Sequence, residues 1–231
     1  MVWHDRRMEH DALTVVAELV VAAAPGRRAL VAVDGAGGSG TTTFAAHLAE
    51  RVRPRRPVLV VHADNFLAPP HVRHARGRYS PEGFWLDAYD VPALVRDVLD
   101  PLGPGGHGRY RATRADGLAA PGVALVAPPD AVVLVEGTFL LRDGLAHRWH
   151  VAVHLDVPLS EATRRMAARE GRALDDPVWD RYAGAQRLYA RAAHPRERAT
   201  VVVDTTDVTV PRVSELRHPD ARTTGGTAGR P

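Results

Sequence analysis

Short apolar runs punctuate the chain at Ala29–Val33, Pro57–His62, Ala131–Val135, His150–Leu155 and Thr200–Val203. Each is bounded by polar or turn-forming residues and is too short for a buried helix, so each predicts a strand. Between them apolar residues recur three and four apart. That spacing predicts helices over Asp11–Ala24, Thr42–Arg53, Asp90–Leu99, Leu159–Arg169 and Val178–Ala192, with a short one over Phe139–His147. Phe66–Phe84 reads as a long loop rich in Pro, His and Arg, and Pro101–Gly108 as a Gly/Pro connection. Arg109–Ala127 is irregular, with room for a small hairpin. From Pro211 the chain turns polar and rich in Gly and Thr, and disorder is expected over 211–231. A single domain over 1–210 is predicted, its first helix falling at about 5–24.

All-apolar strands that alternate with helices predict a mostly parallel sheet with helices on both faces. Ligands of such sheets gather beyond the C-terminal ends of the strands. Gly35, Asp64 and Glu136 all fall at that edge.

The first strand runs straight into Gly35-Ala36-Gly37-Gly38-Ser39-Gly40-Thr41-Thr42-Thr43, followed by a helix. Strand, glycine-rich turn and helix start, with glycines five apart, match a phosphate-binding P-loop at every position but one. Thr41 stands where the pattern has lysine. The glycines let successive N–H groups face one concavity, and the helix beyond adds its positive end. Thr42 holds the position whose hydroxyl ligates Mg²⁺. Gly35 to Thr43 are therefore the candidate ATP-binding residues. The expected fold is of the P-loop NTPase type: three-layer α/β, with a small lid.

Composition narrows the picture. The chain has no cysteine, which excludes disulfides, thiolate metal sites and Cys nucleophiles. His71 and His74 lie three apart without a carboxylate cluster, and no transition-metal site is read there. All 30 basic residues are arginine against 27 acidic ones, and they are scattered, so neither nucleic acid nor membrane is an expected partner. With no membrane-length apolar run, a cytoplasmic protein is the default expectation; a homo-oligomer is compatible with it.

From about Leu30 to Thr206 the chain resembles the uridine/cytidine kinase branch of the P-loop kinases, near phosphoribulokinase and bacterial pantothenate kinase. Beyond the P-loop, Asp64-Asn65-Phe66 is similar to that family's Asp-Ser-Phe-Tyr, and Val135-Glu136-Gly137 to its Phe-Glu-Gly. Tyr79-Ser80-Pro81-Glu82-Gly83-Phe84 resembles the aromatic substrate loop, the Arg-rich helix after Asp156 the lid, and Val201–Asp204 the closing strand. The resemblance implies a kinase that phosphorylates an alcohol of a nucleoside-like molecule with ATP and Mg²⁺. It implies Asp64 as the group that takes the proton of the attacking hydroxyl or orients it, and Glu136, with Thr42, as the metal site. Arg169 and Arg172 would act as catalytic lid arginines, while Arg164 and Arg165 fit equally a solvated face paired with Glu161. Tyr79, Glu82, Phe84 and Tyr110 would contact the acceptor, with Trp85 a further stacking candidate and Asp87 an alternative to Glu82. The chain departs from the family after Tyr110, where Arg111-Ala112-Thr113-Arg114 replaces Asp, His and Arg, and in the substrate loop, where Ser80-Pro81 replaces Asp-His-Pro. With Thr41, these departures support an alternative: a nucleotide-binding or regulatory relative impaired in catalysis.

Overall fold

The computed structural model describes residues 11–112 and 123–217. Helix α1 (Ala12–Ala22) opens on Asp11, whose carboxylate caps the N–H of Leu13. Then follow β1 (Ala29–Gly35), α2 (Thr41–Val52) and β2 (Val58–His62). A 3₁₀ turn at Ala63–Phe66 leads to α3 (Pro70–Arg73) and α4 (Pro81–Asp87). Helix α5 (Val91–Leu94) continues through a π-helical stretch, Val95–Leu99, into α6 (Asp100–Leu102). Beyond β3 (Arg109–Tyr110) and β4 (Leu125–Val126) come β5 (Val132–Gly137), β6 (Val151–Asp156), α7 (Leu159–Glu170) and α8 (Val178–Ala193). The described part closes with α9 (Pro195–Arg198), β7 (Val201–Asp204) and β8 (Arg212–Leu216).

The main sheet has the order β2-β5-β1-β6-β7-β8, parallel except for β8, which runs antiparallel to β7. Alternate residues of each strand feed opposite cores, as the period of two requires. Val31, Val33, Val132, Leu134, Val153 and Val203 pack against Val16, Val20, Phe44 and Leu48 of α1 and α2. Leu30, Ala32, Val133, Val135, Ala152 and Val202 pack on the other face with Leu94, Leu99, Phe139 and Tyr189. The fold is thus α/β with helices on both faces of a mostly parallel sheet.

Four expectations need correction. The tail expected from 211 contributes β8: Val213 lies half-buried against the sheet, and Arg217 donates to the carbonyls of Arg196 and Ala199. Residues 5–10 and 218–231 lie outside the described residues, as does most of the irregular segment, of which the β3–β4 pair is seen. The strand at Val58–His62 is an edge strand, so Val58 to Val60 are only half-buried. The Phe66–Phe84 loop contains α3 and the start of α4, where Ser80 caps the N–H of Gly83 and Pro81 holds the first turn. Phe139–His147 is a run of turns that ends in a 3₁₀ helix at Ala146–Arg148. Phe139 sits at φ +66°, and the N–H groups of Leu140 and Leu141 go to Asp34 Oδ1 and Tyr189 Oη instead of to helix carbonyls. Among the described residues no helix is long and apolar enough to cross a membrane.

Candidate functional site

Strand register assembles the site. Val33 lies beside Glu136, and His62 lies on the other side of the same residue. The C-terminal ends of β2, β5 and β1 therefore bring the Asp64 turn, Glu136 and the glycine-rich loop to one edge. The base of the loop is fixed by Asp34, a fully buried carboxylate. It accepts from the N–H of Leu140 (2.8 Å) and from Tyr189 Oη (3.0 Å), and pairs with His154 Nδ1 (2.8 Å). Burial, and then Asp34, push the Tyr189 phenol well above its ordinary range, so it stays a donor. These three side chains were not singled out from the sequence, although an Asp within an apolar strand was the visible signal.

Over the loop lies α7. A β-carbon on Gly38 (φ +85°) would sit 2.3 Å from the carbonyl oxygen of Ala162, so only glycine permits this approach. At Gly40 (φ +94°), the N-cap of α2, no atom comes within 4 Å of that position. The left-handed pair Gly38 and Gly40, leading into the N-terminus of α2, forms an open backbone cradle of the kind that holds phosphate. Arg165 ties α7 down by donating to the carbonyls of Gly38, Thr205 and Thr206 and to Glu161. Arg164 pairs with Glu161, whose carboxyl is held down at about 2 by Arg164 and Arg165. Both arginines serve the helix and its anchoring.

The loop, Asp64 and Glu136 line one cavity of about 460 Å³, together with Tyr89, Thr138, Arg165, Arg169 and Tyr182. Thr42 Oγ1 donates to both carboxylate oxygens of Glu136 at 3.2 Å, and His62 Nδ1 lies 2.6 Å from Oε1. An all-oxygen pair of hydroxyl and carboxylate beside a phosphate cradle fits a hard cation such as Mg²⁺. Asp64 is exposed to the cavity and accepts from Tyr89 Oη at 2.7 Å. Burial and Asp64 raise the Tyr89 phenol well above its ordinary range, so it remains the donor and aims the carboxylate. The sequence reading missed both Tyr89 and His62.

Other expected site residues are divided by the structure. Gly35 to Gly38, Gly40, Thr41, Thr42, Thr43, Phe84 and Arg169 line the cavity, the last with its side chain 69% exposed and Glu170 3.6 Å away. Ser39, within the loop, is fully buried, and among the described residues its Oγ has no hydrogen-bond partner. Arg172 leaves the face of Arg169 because Gly171 ends α7 in the left-handed conformation (φ +64°); it pairs with Asp176 at 2.8 Å. It lines a second pocket of about 250 Å³ with Tyr79, and that pocket shares Leu67, Phe84, Glu170 and Tyr182 with the first. Glu82 is exposed and lines neither, lying 3.8 Å from Arg76. Tyr110 is buried in the hydrophobic core and does not reach the cavity. Trp85 packs on Phe139 and Tyr189 under the Arg142 guanidinium, so it is core and not a stacking platform. Asp87 is held by Arg76 at 2.8 Å.

Among solved structures, a possible uridine kinase from Bacillus stearothermophilus is similar at 20% identity, over 82% of this chain and 96% of its own, with a TM-score of 0.64. A putative fructose transport system kinase from a Silicibacter species aligns at 28% identity, over 82% and 96%, with a TM-score of 0.61. Phosphoribulokinase from Rhodobacter spheroides aligns at 16% identity, over 78% and 70%, with a TM-score of 0.55. No family model matches the chain, and no curated protein matches its sequence. The structural neighbours are thus P-loop kinases of the uridine kinase and phosphoribulokinase branch, and the chain shares their fold.

Proposed function

We propose that this protein is a small-molecule kinase that transfers the γ-phosphoryl group of ATP to a hydroxyl, with Mg²⁺. The observation that carries this reading is the convergence of the glycine cradle, the Thr42–Glu136 pair and the Tyr89-aimed Asp64 on one cavity. Bound MgATP would supply the electrophilic phosphorus and neutralise part of the charge on it. The loop amides at Gly38 and Gly40 would hold the phosphates, Thr42 and Glu136 would hold the metal, and Arg169 offers a nearby exposed positive charge. Asp64 accepts the proton of the acceptor hydroxyl. The acceptor oxygen forms its bond to the γ-phosphorus as the bond to the bridging oxygen breaks, and that electron pair leaves with ADP.

Thr41 is the obstacle. A lysine there would follow the charge that develops during transfer, and losing one preorganised donor costs ~3–4 kcal/mol, a factor of about 100 to 1000 in rate. That specific observation favours a second reading, a nucleotide-binding regulator on a kinase fold. The acceptor is kept here as a small-molecule alcohol, because Glu82 and Tyr110, two of the residues expected to hold a nucleoside, stand away from the cavity. Magnesium-dependent ADP release over a panel of nucleosides, sugars, sugar phosphates and hydroxy acids tests the proposal. Turnover that disappears in Asp64→Asn supports the kinase. Absence of turnover in the native chain, gained in Thr41→Lys, selects the regulator.

A further inference from the structure

The second pocket has a charge pattern that the first does not explain. Its walls carry Arg73 and His74 from α3 and its end, Arg78 from the turn before α4, Arg172 just beyond α7 and Arg181 in the first turn of α8. Arg172 is neutralised by Asp176. Among the described residues no carboxylate lies within ion-pair distance of Arg73, Arg78 or Arg181, although Arg78 also acts at longer range on Asp176. Glu170 is the acidic group on the wall, and it lies 3.5 Å from Arg172 and 3.6 Å from Arg169.

Arg181 is the unusual member. It is only 6% exposed, its Nε has no hydrogen-bond partner among the described residues, and its guanidinium lies over the faces of Phe84 (4.9 Å) and Tyr182 (5.8 Å). Arg73 likewise has a buried Nε without a partner. Helix α4 is drawn this close to α8 because position 184 is glycine; a β-carbon there would sit 2.7 Å from Pro81. A buried cation without a counter-charge is costly unless something supplies one. His74 is held below its ordinary value by burial, then by Arg181, Arg73 and Arg78.

We propose that this pocket is the acceptor's anion subsite: the molecule phosphorylated carries an oxyanion, a phosphomonoester or carboxylate, bound by Arg73, Arg78 and Arg181. Guanidinium forks match such groups in pairs of hydrogen bonds. The shared wall of Leu67, Phe84 and Tyr182 lets one small molecule reach from this subsite to the cavity that holds Asp64. The assignment rests on the kinase reading for what happens at the other end of the molecule, but the subsite is testable without it.

Calorimetric titration with ribose 5-phosphate, D-glycerate and uridine separates phosphate, carboxylate and neutral acceptors, and a parallel titration with the magnesium complex of a non-hydrolysable ATP analogue reads the P-loop alone. One anionic probe is expected to bind saturably and uridine not to. Arg73→Gln and Arg181→Gln should each weaken that anion at least tenfold and leave the ATP analogue unchanged. Arg181→Gln should also raise the melting temperature of the free protein, which a merely structural arginine would lower. Arg73, at a part-exposed position, keeps the test decisive if the Arg181 variant fails to fold. The proposal is overturned if no anionic probe binds, if uridine binds as tightly, or if anion affinity is the same in both variants. Anion binding without analogue binding would retain the subsite and remove the kinase reading; the reverse would do the opposite.

Discussion

In the proposed kinase, chemistry would turn on Asp64 and the Tyr89 hydroxyl that donates to it. A carboxylate that takes the acceptor proton contributes about 100- to 10,000-fold, so Asp64→Asn should lower kcat by that order with little change in nucleotide affinity. Tyr89→Phe removes one hydrogen bond to a charged group, worth ~1.5–3 kcal/mol. It should cost about 10- to 100-fold in kcat, and the protein should stay folded because the ring keeps its place beside Phe84 and Phe139. An unchanged kcat in Tyr89→Phe would mean that Asp64 is aimed by something else. Asp64 was legible as a polar residue at a strand tip. Tyr89 was not, because its hydroxyl meets Asp64 only through the return of the chain from α4, where Leu67 and Tyr89 form an isolated bridge.

At the scale of elements, the site depends on how β1, β6 and α7 are fastened. Asp34 joins β1 to the turn after β5 and to Tyr189 of α8. Removing it in Asp34→Ala strands several buried donors, and breaking such a network costs ~3–5 kcal/mol. Urea unfolding should show that loss, and a cost under about 1 kcal/mol would mean the network is not what holds the loop base. At the opposite end of the strands, His150 Nδ1 accepts the N–H of Leu30 at 3.1 Å, which needs a neutral ring. Burial, with Arg27 and Arg56 nearby, lowers its pKa below 6.5. The unfolded chain then binds the proton more readily, so this stabilisation is complete above about pH 6.5 and is lost as pH falls below it. Melting temperature should therefore fall on acidification more steeply in the native protein than in His150→Asn, which retains an acceptor but does not titrate. Equal slopes would contradict this.

The same elements show what the sequence could and could not reveal. Apolar runs and three-four spacing located the parallel strands and α2, α7 and α8 to within a residue or two, because their cores bury whole faces. Helix α4 was missed although Ser80 and Pro81 spell its first turn, since the aromatic residues that follow read as a binding loop. β8 was missed because an edge strand that alternates exposed Arg212, Ser214 and Leu216 with half-buried Val213 and Glu215 has no apolar run to announce it. Arg169 and Arg172 were grouped by proximity along the chain, and the left-handed Gly171 between them sends the second into the neighbouring pocket.

For the molecule as a whole, the proposed kinase would cradle phosphate with main-chain N–H groups and a helix end, without a lysine. Thr41→Lys should then raise any native kcat, by up to the 100- to 1000-fold that one donor supplies, and a fall would mean that Thr41 or Arg169 already fills the role. In the proposed reading the two pockets would divide the work, one holding the triphosphate and the metal, the other the acceptor's charge. The most direct test of the central claim is calorimetric titration of the native protein with the magnesium complex of a non-hydrolysable ATP analogue. Saturable heat at one site per chain and a rise in melting temperature are expected, both abolished when Gly38→Val drives a side chain into Ala162 of α7. No heat and no thermal protection at millimolar nucleotide would contradict it.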